Sequence, residues 1–264
     1  MKADMDILII GFFIYSVLGY ISEVIYCSIG QRKLVNRGFL YGPYCPIYGF
    51  GALVVIIFLE PLKEYWYLVF ILGLILTSII EYVTSYLLEK IFSLKLWDYS
   101  KRKVNINGRV CLRNSLLFGI MGMAGVYLLD PVFLPFLRSL DDNLKHVLAS
   151  IIELVMVIDA TASVIHLKSF QKSIVILKKK ADEVTRETRD EIRETLSGEF
   201  DRMKEFYSRN ASHFLFANPG LTSRSKEYKE AIEAYKAYIE KRKQIKTDYK
   251  RKMKENREDF LSKV

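Results

Sequence analysis

Five carboxylates fall inside or at the ends of stretches that otherwise read as apolar helix: Glu23, Glu81, Glu89, Glu153 and Asp159. An ionised acid at the centre of a bilayer costs about 2.5–3.5 kcal/mol or more, so it persists when it is paired or when it handles an ion, a proton or a substrate. Three of the five sit in similar strings, YISEVIY around Glu23, TSIIEYV around Glu81 and ASIIELV around Glu153. Glu23 and Glu81 lie about 16 residues into their apolar runs and Asp159 about 15, which at the helical rise puts these three at one depth, with Glu153 higher. Glu89 falls near the end of the same run as Glu81. Two readings stay open. The acids line a polar path for ions or substrate, or they are structural glue that caps loop amides and pairs with Arg37, Arg109 or Arg113.

The same three arginines suggest a second chemistry. Arg37 opens the string RGFLYGPYCPIYGFG, which runs to Gly51 and contains Gly38, Gly42, Pro43, Pro46, Tyr48 and Gly49. Pro43 and Pro46 suit a helix start, where a missing amide proton is harmless. Gly42, Gly49 and Gly51 permit tight turning and close helix contact. A comparable layout follows later: Trp97, Asp98, Tyr99 and Ser100, then NINGRVCLRNS, with Asn107 and Gly108 as a turn before Arg109 and Arg113. Two helix N-termini and three arginines at one face make an anion site suited to a phosphate or an anionic lipid headgroup. The competing reading is ordinary anchoring of basic loops, with Trp97 and Tyr99 as interface aromatics.

The elements that must position these residues follow from composition. The chain has 264 residues, 51% of them hydrophobic, and a net charge of +9. Residues 1–167 hold 14 basic and 13 acidic residues, leaving 25 and 17 for residues 168–264. A nearly uncharged front and a charged back exclude a single soluble globule. A hydrocarbon core of about 30 Å needs about 20 apolar helical residues, and five stretches approach that: Ile7–Ile29, Tyr44–Leu59, Trp66–Leu88, Leu112–Phe133 and Leu144–Leu167. Pro131 and Pro135 are expected to end the fourth. Basic residues cluster after the first, third and fifth spans, which predicts five spans with the N-terminus outside and the C-terminus inside. The first run is too long for a signal peptide and lacks a small-x-small site, so it reads as an uncleaved span.

The expected fold is therefore all-α: a membrane helix bundle over residues 1–167 and a basic helical tail over 168–264. In the tail, Leu177, Ala181, Val184, Thr188, Ile192, Leu196, Phe200, Met203 and Phe206 trace one apolar stripe, and Tyr228, Ile232, Tyr235, Ile239, Ile245, Tyr249, Met253 and Phe260 a second. Asn218, Pro219 and Gly220 separate them. An antiparallel coiled-coil hairpin reaching about 60 Å into the cytoplasm is one reading. A helix pair lying on anionic lipid is the other. Within the bundle, Gly119, Gly122, Ala124 and Gly125 give the fourth span a small-residue packing face. The order of span, glutamate and basic loop in 7–59 and 66–133 hints at a parallel internal repeat.

Several chemistries find no support. Cys27, Cys45 and Cys111 match no metal or disulfide pattern and read as reduced packing residues, and His146, His166 and His213 make no HExxH. No resident metal or cofactor is expected, nucleic acid is not an expected partner, and no Walker A string or GxSxG elbow occurs. The chain does not read as an enzyme. Any use of ATP would require a separate ATPase subunit.

Four motifs together resemble a known family. They are GYISE (Gly19–Glu23), the Arg37–Gly51 string, Glu81 and Glu89 followed by LWDYS (Leu96–Ser100), and NINGRVCL (Asn105–Leu112). Over residues 7–167 the chain is similar to the CmpB-type family of ABC-transporter permeases, called ABC-transporter type IV. The resemblance implies a multi-pass protein of the bacterial cytoplasmic membrane and carries no substrate with it. The expected function is permease-like, with the acids lining a path and the arginines shaping its cytoplasmic mouth. A membrane scaffold whose tail recruits a partner is the alternative, and a lipid-acting enzyme using a glutamate base is a third. Expected partners are the bilayer, anionic headgroups, a separate ATPase and a second copy of the chain.

Overall fold

The computed structural model describes residues 2–31, 38–186, 218, 220–223, 229–230, 232–233 and 236–237. Arg37 and most of the expected hairpin lie outside the described residues. The elements are α1 (Lys2–Gln31), α2 (Pro46–Leu59), α3 (Trp66–Phe92), β1 (Asn105–Ile106), β2 (Val110–Cys111), α4 (Leu112–Ala124), α5 (Asp130–Ser139) and α6 (Asp142–Arg186). Four helical stretches are long and apolar enough to cross a membrane: Asp4–Ile29, Trp66–Phe92, Leu112–Ser139 and Asp142–Lys172. Their outward residues include Ile25, Ile71, Ile79, Leu128 and Leu154, the side chains that lipid rather than water would accept.

The expected second span does not meet that standard. Helix α2 has 14 residues, about 21 Å of rise against the roughly 30 Å of a hydrocarbon core. It is short because its start is displaced into the bundle. The Cys45 amide donates to the Ser16 carbonyl at 2.9 Å, and Ser16 lies about 22 Å of helical rise before the end of α1. The described part of the connection, residues 38–45, thus folds back along α1, and Pro46 begins α2 halfway along it. From there α2 runs antiparallel to α1. A Cβ on Gly49 would stand 2.2 Å from Ser16 Oγ and 2.4 Å from the Phe12 carbonyl oxygen, while one on Gly19 would stand 2.2 Å from Tyr48 Cβ. Glycine at these positions is what lets the two helices touch.

The fourth span also departs from expectation. It continues to Ser139 past both prolines. A π-helical turn, Gly125–Leu129, precedes Pro131, and the wider turn re-registers the ladder where the proline cannot donate. Gly119 packs on Phe70 and Leu74 of α3, and Gly122 on Val55 of α2. Tyr15, Val55, Ile56, Leu59, Val69 and Val126 form the central core. Helices α1 and α6 run side by side in one direction, with Asp6 beside His146 and Ile10 beside Ala149. The three cysteines are buried and form no disulfide among the described residues.

Helix α6 passes through the expected boundary at Leu167 without interruption and reaches Arg186. The described turn residues of the tail, at the expected hairpin tip, lie against the loop after α3. Lys95 and Thr222 exchange backbone hydrogen bonds of 2.8 and 3.0 Å, and a Cβ on Gly220 would meet the Trp97 Cα at 3.2 Å. Leu221 and Ile232, each 1% exposed, share a cluster with Leu94, Leu96, Leu167 and Phe170. This part of the tail belongs to the packed body.

The glycine contact sets a test. Gly49→Ala forces a methyl group against the Phe12 backbone, which cannot rotate away, and should destabilise the protein by about 1–3 kcal/mol. Gly51→Ala, with nothing within 4 Å of the added carbon, should be neutral. Thermal loss of monodisperse protein in detergent reads both. Equal behaviour of the two variants would contradict the close α1–α2 contact.

Candidate functional site

Three polar stations sit along the bundle, and each begins with a backbone problem that a side chain solves. The first is the folded-back segment before α2. Its amides have no helical partner, and at membrane depth no water is available to them. Asp159 of α6 supplies the acceptors: Tyr41 N–H donates to Oδ1 at 3.0 Å, Gly42 N–H to Oδ2 at 2.8 Å, and Tyr44 O–H to Oδ2 at 2.6 Å. Ser163 adds a bond from its hydroxyl one turn away. Burial, followed by the bond to Asp159, pushes the Tyr44 hydroxyl well above the usual phenol range, so it stays a donor. Asp159 is the clasp of this loop.

The second station lies at the end of α3. Asn107 and Gly108 adopt positive φ angles of 53° and 67° at the centre of the turn between β1 and β2, which Arg109 N–H closes by donating to the Ile106 carbonyl at 2.9 Å. The hairpin is fastened by Tyr99 N–H donating to the Gly108 carbonyl at 2.8 Å and Trp97 Nε1 donating to the Arg109 carbonyl at 2.9 Å. Asp98 accepts from the amide and hydroxyl of Ser100. Burial opposes its charge, but the Ser100 bonds, with Lys95 and Lys101 nearby, win and hold its carboxyl pKa below the ordinary carboxylate range. These contacts aim Arg109 inward. Its guanidinium meets Glu89 at 2.5 Å and Ser85 Oγ at 3.2 Å, and lies over the rings of Tyr82 and Tyr86. At 2% exposure it is sealed from solvent.

The third station joins four elements. Tyr99 donates to Glu81 Oε1 at 3.1 Å and accepts from Asn114 Nδ2 at 2.7 Å. Burial, followed by the nearby Glu81 charge, pushes the Tyr99 hydroxyl up, which keeps its proton in place for Glu81. Glu23 of α1 interacts electrostatically with Glu81 and hydrogen-bonds to Tyr48 of α2. Glu81 is 4% exposed, and its Oε2 has no hydrogen-bond partner among the described residues. Ser78 and Ser115 extend the polar strip, 2.8 Å apart between α3 and α4.

The structure therefore separates residues that were grouped in sequence. Glu23 and Glu81 come together at one depth. Asp159 is turned to the loop, Glu89 is joined to Arg109, and Glu153 faces outward on α6. The arginines do not assemble into one open anion site among the described residues, because Arg109 is buried against Glu89 while Arg113 is exposed and stacks on Tyr26. Of the loop motif, Gly42 and Tyr48 serve the stations directly, Gly49 sets the helix contact, and Gly38 holds a φ of 117°. Pro43 is exposed, next to the clasped amides. Tyr44, Ser85 and Asn114 are site residues that residue type alone did not single out.

All three stations lie within one matched region. The family model described as "Putative ABC-transporter type IV" matches residues 10–164. The chain belongs to that family. No curated protein and no solved structure matches it. The ABC-transporter type IV region includes Glu23, the Asp159 clasp, the Arg109–Glu89 pair and the Glu81 cluster, and it ends before the tail.

A buried ion pair gives an asymmetric test. Arg109→Met leaves Glu89 buried without its partner and should cost about 3–5 kcal/mol. The double variant Glu89→Leu with Arg109→Met should recover most of that loss. A double-mutant cycle on thermal stability in detergent reads the coupling, and additive losses would show that the pair is not a unit.

Proposed function

We propose that this chain is a membrane transport protein whose cargo, or a coupling ion, passes the cluster of Glu23, Glu81, Tyr48, Tyr99 and Asn114. The observation that carries the reading is the bare Oε2 of Glu81, buried beside a second carboxylate. Two such groups at membrane depth cannot both hold negative charge cheaply, so the pair takes up a proton or another cation. Its neighbours include a second carboxylate, Glu23, and the phenols of Tyr48 and Tyr99, with Asn114 Nδ2 donating to Tyr99. Such a set suits a hard cation or a proton. The path is narrower than the five acids first suggested, because Glu89 and Asp159 are committed elsewhere.

The basic end of the bundle, with Lys90, Lys101, Arg102, Lys103, Arg113, Lys168 and Lys172, faces the cytoplasm in this reading. ATP would be bound by a separate polypeptide. Val104 and Ile106, 61% and 62% exposed beside Lys101–Lys103, offer it an apolar foothold on the β-hairpin. The burial of Leu221 and Ile232 in the membrane body favours this reading over a free recruiting arm.

Two measurements test it. Glu81→Gln and Glu23→Gln should each lower proton or sodium uptake into proteoliposomes at least tenfold while the protein still accumulates in membranes. Equal loss of accumulation would make the acids structural, and unchanged uptake would remove the path. Purification from native membranes in mild detergent should also bring down a stoichiometric ATP-binding polypeptide. Its absence would remove the ATP-driven form of the proposal.

A further inference from the structure

Among the described residues, helix α6 is covered on one side only. Ala149, Ser163, Leu167 and Phe170 are buried, and two exposed flanks remain. One flank is what lipid requires: Ile151, Leu154, Ile158 and Ile165, recurring at helical spacing, all large and aliphatic. The other carries Ser150, Glu153, Val157 and Thr161, also at steps of three and four. Glu153 lies about 16 Å of helical rise into its span. Among the described residues it is the one exposed carboxylate deep inside a membrane-crossing helix. Lipid cannot solvate it, and the exposed cations of the spans, such as Lys90, Arg113 and Arg138, lie near helix ends.

We infer that the Ser150–Glu153–Val157–Thr161 face of α6 packs against the same face of a second copy of this chain. The membrane fixes both orientation and depth, so a carboxyl group on this face can be satisfied only by a polar group at its own level. A second copy, related by a two-fold axis along the membrane normal, necessarily brings Glu153 and Ser150 to that level. One Glu153 carboxyl then donates to its counterpart or to a serine oxygen across the axis. Ser150 and Thr161 already satisfy their hydroxyl protons on the carbonyls of His146 and Val157, at 2.8 and 2.7 Å, and so present oxygen lone pairs to the neighbour. Small and β-branched side chains around the acid let two helix backbones approach closely. The face is independent of the Glu81 cluster, so the proposal stands or falls apart from the transport reading.

The test is disulfide trapping in native membranes. Val157→Cys and Ser150→Cys, oxidised with copper phenanthroline, should give a band at twice the chain mass, whereas Ile158→Cys, one residue on but on the aliphatic flank, should not. The unsubstituted chain is the background control, since its own cysteines are buried. Adding Glu153→Leu to Val157→Cys should cut the trapped fraction several-fold, and Glu153→Gln should largely keep it. A monomer at both 150 and 157, equal trapping at 158, a cross-link to a different polypeptide, or no effect of Glu153→Leu would overturn the inference.

Discussion

Inside a hydrocarbon layer a polar group has no solvent to return to, and the arrangement of this bundle depends on that constraint. The segment before α2 leaves helical geometry at the depth of Ser16, where exposed amides would each cost several kcal/mol. It holds its place because one carboxylate, Asp159, reaches across from α6 and accepts from Tyr41, Gly42 and Tyr44 at once. With that segment clasped, α2 can begin halfway along α1, and Gly49 can lie on the Phe12 backbone. Tyr48 is then positioned beside Glu23. Remove the clasp and the chain has no reason to fold back.

The same logic governs the basic end. A tight turn at Asn107 and Gly108 sends Arg109 back under the bundle, where Glu89, Ser85 and two tyrosine rings receive it. This fixes the loop after α3, and through it Tyr99, whose hydroxyl reaches Glu81. The Arg109–Glu89 pair and the Asp159 clasp fix the loops on either side of Glu23 and Glu81, the two acids on which the proposed transport reading rests.

Much of this was legible in the residues. Apolar run lengths located the crossing helices, Asn107-Gly108 marked its turn, Pro46 marked the start of α2, and the matching positions of Glu23 and Glu81 brought the two to one layer. Other features were hidden because they depend on distant contacts. Nothing local shows that Asp159 turns toward a loop over a hundred residues earlier, or that Arg109 is neutralised rather than open to an anion. Pro131 and Pro135 looked like a helix end, since a π turn that steps past a proline leaves no signature of its own. The apolar stretch Tyr44–Leu59 looked like a span because hydropathy measures composition and not the depth at which a helix begins. Asn218 and Gly220 looked like a remote tip, yet Leu221 beside them is buried against Leu94 and Leu96 just past the end of α3.

If cargo or a coupling ion passes Glu81, as proposed, that side chain lines a route open to water despite its burial. The most direct measurement places a cysteine at that position and follows its reaction with a small membrane-impermeant thiol reagent in sealed vesicles of each orientation. The account expects labelling from at least one aqueous side, slowed by added sodium or by low pH while Glu23 is present. Failure to label from either side, in a protein that accumulates and stays folded, would contradict it and leave the acid cluster as a structural plug.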